Sequence, residues 1–197
     1  MKIIFYILFF FNLSFVTQAQ VRVWTNEQLS AANTAKNANY LTQAERDVIL
    51  YINLARLYPQ QFLKNEVIKY QSPPKYGHIQ ENSKYMKALI ANLKTRKPVK
   101  ALFPSNECYE NAKCFAKESG DAGYEGHERK KCPRKNFAEC CSYGMETGRD
   151  IVMQWLIDLD VPEFGHREIC LDKMFTKVGV SIQYHKKWGK CAVAEFH

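Results

Sequence analysis

Two short runs near the carboxyl end constrain this chain most. FTKVGVSIQY puts Val178, Val180 and Ile182 at alternate positions, and CAVAEFH follows after the turn HKKWGK. Side chains alternating at period two belong to strands, and a connection this short joins neighbouring strands antiparallel. Upstream the period is helical. Thr42 and Glu45 make a capping box ahead of Val48, Ile49, Ile52, Leu54 and Ala55, and Pro59 ends that helix. Tyr85, Met86, Leu89, Ile90 and Leu93 recur at helical spacing from about Asn82. Ser105 caps a third helix, NECYENAKCFAKES, which Gly120 and Gly123 stop, and GRDIVMQWLID returns to the same period. Helices first and a hairpin last predict an α+β domain with a mostly antiparallel sheet.

The amino end reads as a secretory signal: Lys2, the apolar run Ile3 to Val16, then Thr17-Gln18-Ala19, with cleavage after Ala19. Asn12 and Ser14 interrupt the run, which is too short for a permanent span. No cysteine follows the cleavage site to carry a lipid, and no later apolar run is long enough to span a bilayer. The expected organisation is a signal peptide at 1–19, a polar, flexible leader at 20–40 and one domain at 41–197, exported to a periplasm or secreted. Residues 64–80 read as a loop, and His78 within it as an ordinary surface histidine.

The formal charge of +8 falls to +7 without residues 1–19, because Lys2 is the only charged residue among them. The excess is clustered: Lys94, Arg96, Lys97 and Lys100; Arg129, Lys130, Lys131, Arg134 and Lys135; Lys186, Lys187 and Lys190. Such clusters serve as solvated, solubilising faces or meet a polyanion such as an acidic glycan. No module with aromatics at nucleic-acid-binding spacing accompanies them, which argues against a nucleic-acid partner. All seven cysteines lie from Cys108 to Cys191, at 108, 114, 132, 140, 141, 170 and 191. Export favours disulfides, and a four-cysteine zinc site would want CxxC pairs that are absent. The odd number leaves at least one thiol free or bridged to another chain. Cys140 or Cys141 beside His127 offers a nucleophile, with bridging the preferred reading; ERKKCPRKNFAECCSYG has no period and reads as an irregular, bridged loop. Ser142 and Thr176 read as ordinary turn or strand residues.

Four side chains carry the chemistry: His127 in GYEGHER, Glu139 in FAECCSYG, Asp158 in QWLIDLD and His166 in EFGHRE. Two imidazoles and two carboxylates bind a divalent cation or act together as acid and base. Their spacings form no local motif, so only a fold brings them together. Asp158 falls at a helix end, where the dipole disfavours a carboxylate, and reads either as functional or as a solvated surface group. His166 reads otherwise as a core histidine pinned by a carboxylate.

INLARLYPQQF, LFPSNECYENAKCFAKESGDAGYEGH, AECCSYG and FGHREICLDKMFTKVGVSI together resemble the CAP superfamily, which holds cysteine-rich secretory proteins, insect venom antigens, pathogenesis-related plant proteins and bacterial relatives. The resemblance covers roughly 41–197, with an insertion-like helix near 82–96. It implies a disulfide-stabilised, three-layer α-β-α sandwich with a cleft, and a tetrad at His127, Glu139, Asp158 and His166. Ala138 and Cys140 depart from the glycine and asparagine that usually flank Glu139, and Asp158 stands where the family has a longer Glu. The resemblance implies two kinds of function. In one, His127 and His166 hold zinc or another divalent cation, with metal-assisted hydrolysis as an extension. In the other, a non-catalytic module binds a lipid, a sterol or another extracellular ligand.

Overall fold

The computed structural model describes residues 23–73 and 83–197. The signal expected at 1–19 and His78 lie outside the described residues. Among those described, no helix is long and apolar enough to cross a membrane.

The element order follows the periods. Helix α1 (Asn26–Ala32) precedes α2 (Gln43–Leu57), and Pro59 opens the short α3 (Pro59–Phe62), which runs into a π-helical turn at Leu63–Val67. Proline at a first helical position loses no hydrogen bond, so Pro59 ends one helix and starts the next. Then come α4 (Lys84–Thr95), β1 (Phe103–Pro104), α5 (Asn106–Ala122) and β2 (Ala138–Tyr143). They are followed by α6 (Gly148–Ile157), a 3-10 turn at Pro162–Phe164, α7 (Gly165–Leu171), β3 (Lys177–His185) and β4 (Gly189–Phe196). The sheet runs β1-β3-β4-β2, with β1 parallel to β3 and the other pairs antiparallel, so β2 forms one edge.

Alternation along β4 decides the layers. Ala192, Ala194 and Phe196 join the cluster containing Val48, Ile52 and Trp155 of α2 and α6, whereas Cys191 and Val193 join Ala112, Phe115 and Ala116 of α5. Helices therefore cover both faces, the three-layer sandwich expected. Contact with α5 is close at Gly179, where an added Cβ would stand 1.9 Å from the backbone nitrogen of Tyr109. Two buried polar groups lock the frame. Arg56 donates to the carbonyls of Lys100, Cys170, Asp172 and Phe175 at 2.8–2.9 Å. Asn53 accepts from Leu102 N–H and donates to the carbonyls of Ala32 and Leu102.

Four expectations need correction. Residues 23–40 are not a mobile leader: Thr25 and Gln28 cap α1 reciprocally, and Trp24, Ala32, Ala35 and Ala38 are buried in the main core. Small alanines at turns produce no helical period, which hid this packing. The stretch from 64 begins as helix rather than loop, with Val67 and Tyr70 buried. Residues 138–143 form a strand rather than an irregular loop; Cys140, Cys141 and Ser142 are all buried because both faces are covered, which erases the alternation. Finally, Cys114–Cys132 is the disulfide among the described residues, and Cys108, Cys140, Cys141, Cys170 and Cys191 are free.

Candidate functional site

His127 arrives on a loop that α5 releases. Gly123 ends the helix in the left-handed region (φ 77°), a conformation glycine adopts without steric cost. Cys132 ties the loop back to Cys114 on α5. Glu118, also on α5, accepts the backbone N–H groups of Lys130, Lys131 and Cys132 at 2.6–3.0 Å and the Tyr124 hydroxyl at 2.7 Å. Burial opposes its charge, but these donors outweigh burial and bring its carboxyl down to about 2. The loop is thus irregular yet fixed at several points.

His166 arrives from the other face of the sheet, on α7. Asp158 caps α6 in the left-handed region (φ 60°), and Asp160, Glu163 and Phe164 also have φ between 55° and 58°. Such conformations cost non-glycine residues roughly 1–2 kcal/mol each and collect near functional sites. The Asp158 carboxylate is buried rather than solvated, accepting from His166 Nδ1 at 2.7 Å and from Arg167 N–H at 3.1 Å. The backbone N–H and the imidazole answer the charge that the helix end disfavours.

The two imidazoles meet beside the β2 edge with ring centroids 6.1 Å apart. His127 Nδ1 and Glu139 Oε1 stand 2.8 Å apart. An ionised carboxylate only accepts, so each Nδ1 donates to its carboxylate, and the neutral form of each ring then presents its lone pair at Nε2. The rings, Asp158 and Cys141 line a cavity of about 330 Å³ with Tyr143, Trp155 and Val161. The fold therefore brings together all four residues singled out in the sequence, as two histidine–carboxylate pairs.

The sequence profile of the cysteine-rich secretory protein family, CAP, matches residues 49–196. The chain belongs to this family. No curated protein matches it. The matched CAP region contains every element that carries the tetrad, from α5 to α7, whereas α1 lies outside it.

The CAP cleft also holds groups that sequence reasoning passed over. Register pairs Glu139 with Glu195 across β2 and β4, and Arg129 bridges the two carboxylates while lying over the Phe115 ring at 4.5 Å. Burial and the charge of Glu139 push Glu195 up, with Arg129 opposing. Burial acts against Glu139 as well, but the bonds from His127 and Arg129 prevail and lower its pKa. Arg129 was hidden within a basic cluster, and Glu195 is 66 residues away from it. Lys135 pairs with Glu107, and Arg134 donates to the His127 carbonyl, so part of that cluster is structural. Cys141, read in the sequence as a nucleophile beside His127 or a bridging cysteine, is a free thiol here with its Sγ 3.7 Å from His127 Nδ1. Ser142 spends its hydroxyl on Gln154.

The donor set fits a borderline-soft divalent cation. A cation about 2.0–2.1 Å from an imidazole nitrogen lies about 3.2 Å from that ring's centroid. A 6.1 Å gap therefore admits one between the rings in a bent arrangement. Histidines held through Nδ1 by carboxylates are also the usual outer support of such sites.

Proposed function

We propose that this CAP domain is exported and binds a divalent cation, zinc being the best chemical match, between His127 and His166. The observation carrying the reading is the paired anchoring: each ring is held through Nδ1 by a carboxylate while the tilted rings stand 6.1 Å apart, centroid to centroid. Glu139 and Asp158 orient the imidazoles and raise their basicity. A cation bound there supplies Lewis acidity to whatever enters the cavity. Arg129 holds Glu139 ionised on one side, leaving Oε1 to serve His127. Export rests on the apolar leader at 1–19.

Calorimetric titration with zinc tests this, using the wild-type protein and the His127→Ala/His166→Ala double variant. One saturable site, lost in the folded variant, supports the reading; equal binding by both proteins or none by either retires it. A second reading, carriage of an apolar ligand, is favoured by a groove of about 390 Å³ in which Tyr85, Val161, Pro162 and Phe164 form the apolar wall and Lys84 and Asp160 the charged rim. Organic extraction of the purified protein checks it: absence of any bound lipid removes it.

A further inference from the structure

The cation reading uses nitrogen and oxygen donors, and the fold adds a sulfur. Cys141 follows Glu139 by two positions on β2, so strand alternation puts both side chains on the face that His127 approaches. Its Sγ lies 3.7 Å from His127 Nδ1 and 3.8 Å from Glu139 Oε1, and those two atoms are 2.8 Å apart. Nitrogen, oxygen and sulfur on one tetrahedral zinc, at bond lengths of about 2.0–2.3 Å, stand about 3.4–3.6 Å from one another. Two edges of this triangle are already within a few tenths of an ångström of that size. The third is a hydrogen bond that has to open by about 0.6 Å.

We propose that Cys141 is a ligand of the cation this cleft takes, forming with His127 and Glu139 a nitrogen, oxygen and sulfur set that selects thiophilic cations. The proposal rests on the cation reading above and changes which atoms hold the ion. His127 serves through Nδ1, and His166 completes the set from across the cavity, its ring centroid 6.1 Å from that of His127.

Three further observations support this assignment. Among the described residues, these are the three ligating groups gathered within 4.8 Å of one another. Arg129 occupies Glu139 Oε2, so the oxygen aimed at His127 and Cys141 is the one not held by a guanidinium. Cys141 also lines the cavity that His127 and His166 share, although little of it is exposed. On binding, the Cys141 S–H bond breaks, a sulfur–metal bond forms and that proton leaves to solvent; the Nδ1–H of His127 is lost and Nε2 takes up a proton, so Nδ1 presents its lone pair as the hydrogen bond to Glu139 opens, and no electron is transferred. One thiolate and one carboxylate then balance a doubly charged cation. Sulfur favours zinc, cadmium and cobalt over magnesium and calcium, which prefer oxygen throughout.

Cobalt(II) reports its own ligands, because thiolate bonding adds a near-ultraviolet charge-transfer band to the visible ligand-field bands. The wild-type protein titrated with cobalt(II) should show both. Cys141→Ser should lose the near-ultraviolet band and bind at least tenfold more weakly, while Cys140→Ser keeps both band and affinity and His166→Ala keeps the band at saturation but binds more weakly. Visible bands alone, unchanged by Cys141→Ser, would overturn the sulfur ligand and leave the cation reading standing. No cobalt spectrum at all would bring both down. A near-ultraviolet band that survives Cys141→Ser would assign the sulfur elsewhere and also overturn the proposal. Should Cys141→Ser fail to fold, alkylation of the wild-type protein, mapped by peptide mass spectrometry, decides. Zinc should slow modification of Cys141 selectively, and equal rates with and without zinc refute the assignment.

Discussion

Asp158→Asn isolates the orientation of one imidazole. Asparagine tolerates the left-handed backbone at this position, so the substitution leaves the corner unstrained. The carboxylate accepts two bonds, from His166 Nδ1 and from Arg167 N–H. An amide has one oxygen, so one of these donors must face an NH₂ group. If the oxygen stays with Arg167 N–H, His166 accepts at Nδ1 and carries its proton on Nε2, the nitrogen needed for a cation between the rings. Losing one charge-assisted hydrogen bond costs about 1.5–3 kcal/mol, and losing an outer partner of a metal-bound histidine weakens binding roughly 10–100-fold. The two figures agree, since tenfold in affinity is about 1.4 kcal/mol. Zinc calorimetry should therefore show the dissociation constant rising 10–100-fold. Without zinc, a loss of about 2 kcal/mol should lower Tm by roughly 4–8 °C for a domain of this size. A folded variant whose zinc affinity stays within threefold of wild type would refute the reasoning and leave Asp158 as a support for the α6 corner alone.

Other consequences follow from separate parts of the fold. Replacing Cys114 and Cys132 together by serine opens a loop of 18 residues and should cost about 3 kcal/mol in urea unfolding; a loss under 1 kcal/mol would show that Glu118 alone suffices to hold the loop. Glu118 has a folded pKa below its ordinary value, so its contribution is present above the usual carboxylate range and is lost as pH falls toward about 2. Urea midpoints should drop over that interval in the wild type and drop less in Glu118→Gln; parallel curves would exclude this source. Gly179→Ala drives a Cβ into the α5 backbone and should cost about 3 kcal/mol or more, measured as urea midpoint or soluble yield, and wild-type stability would mean that α5 can shift away freely.

The start of α2 and the position of α4 were legible because each helix has one covered face, and β3 and β4 because Val178, Val180 and Ile182 recur at alternate positions beside a short turn, although both faces are covered. The packing of Trp24, Ala32, Ala35 and Ala38 was not, although Thr25 and Gln28 spell a capping box by spacing alone. β2 escaped because AECCSY has none of the β-branched residues that mark β3, and its consecutive buried positions show no alternation. In the site, the four tetrad positions could be picked out by motif, and Asp158 also by its conflict with the helix dipole. Arg129 and Glu195 belong to the same neighbourhood only through strand register and a loop crossing, neither of which leaves a local pattern, and the sequence placed Cys140 or Cys141 beside His127 without telling which of the two faces it.

Arg56 has a consequence for how the molecule opens. Its guanidinium joins α2 to the Lys100 carbonyl ahead of β1 and to three carbonyls that run from the last turn of α7 toward β3. These segments cannot separate singly without stripping a buried cation of its acceptors. Amide hydrogens of α2 and of the 170–176 segment should therefore exchange as one unit, near the free energy of global unfolding, while those of the 124–137 loop exchange through smaller openings. The frame beneath His166 would then stay closed while the arm that carries His127 breathes.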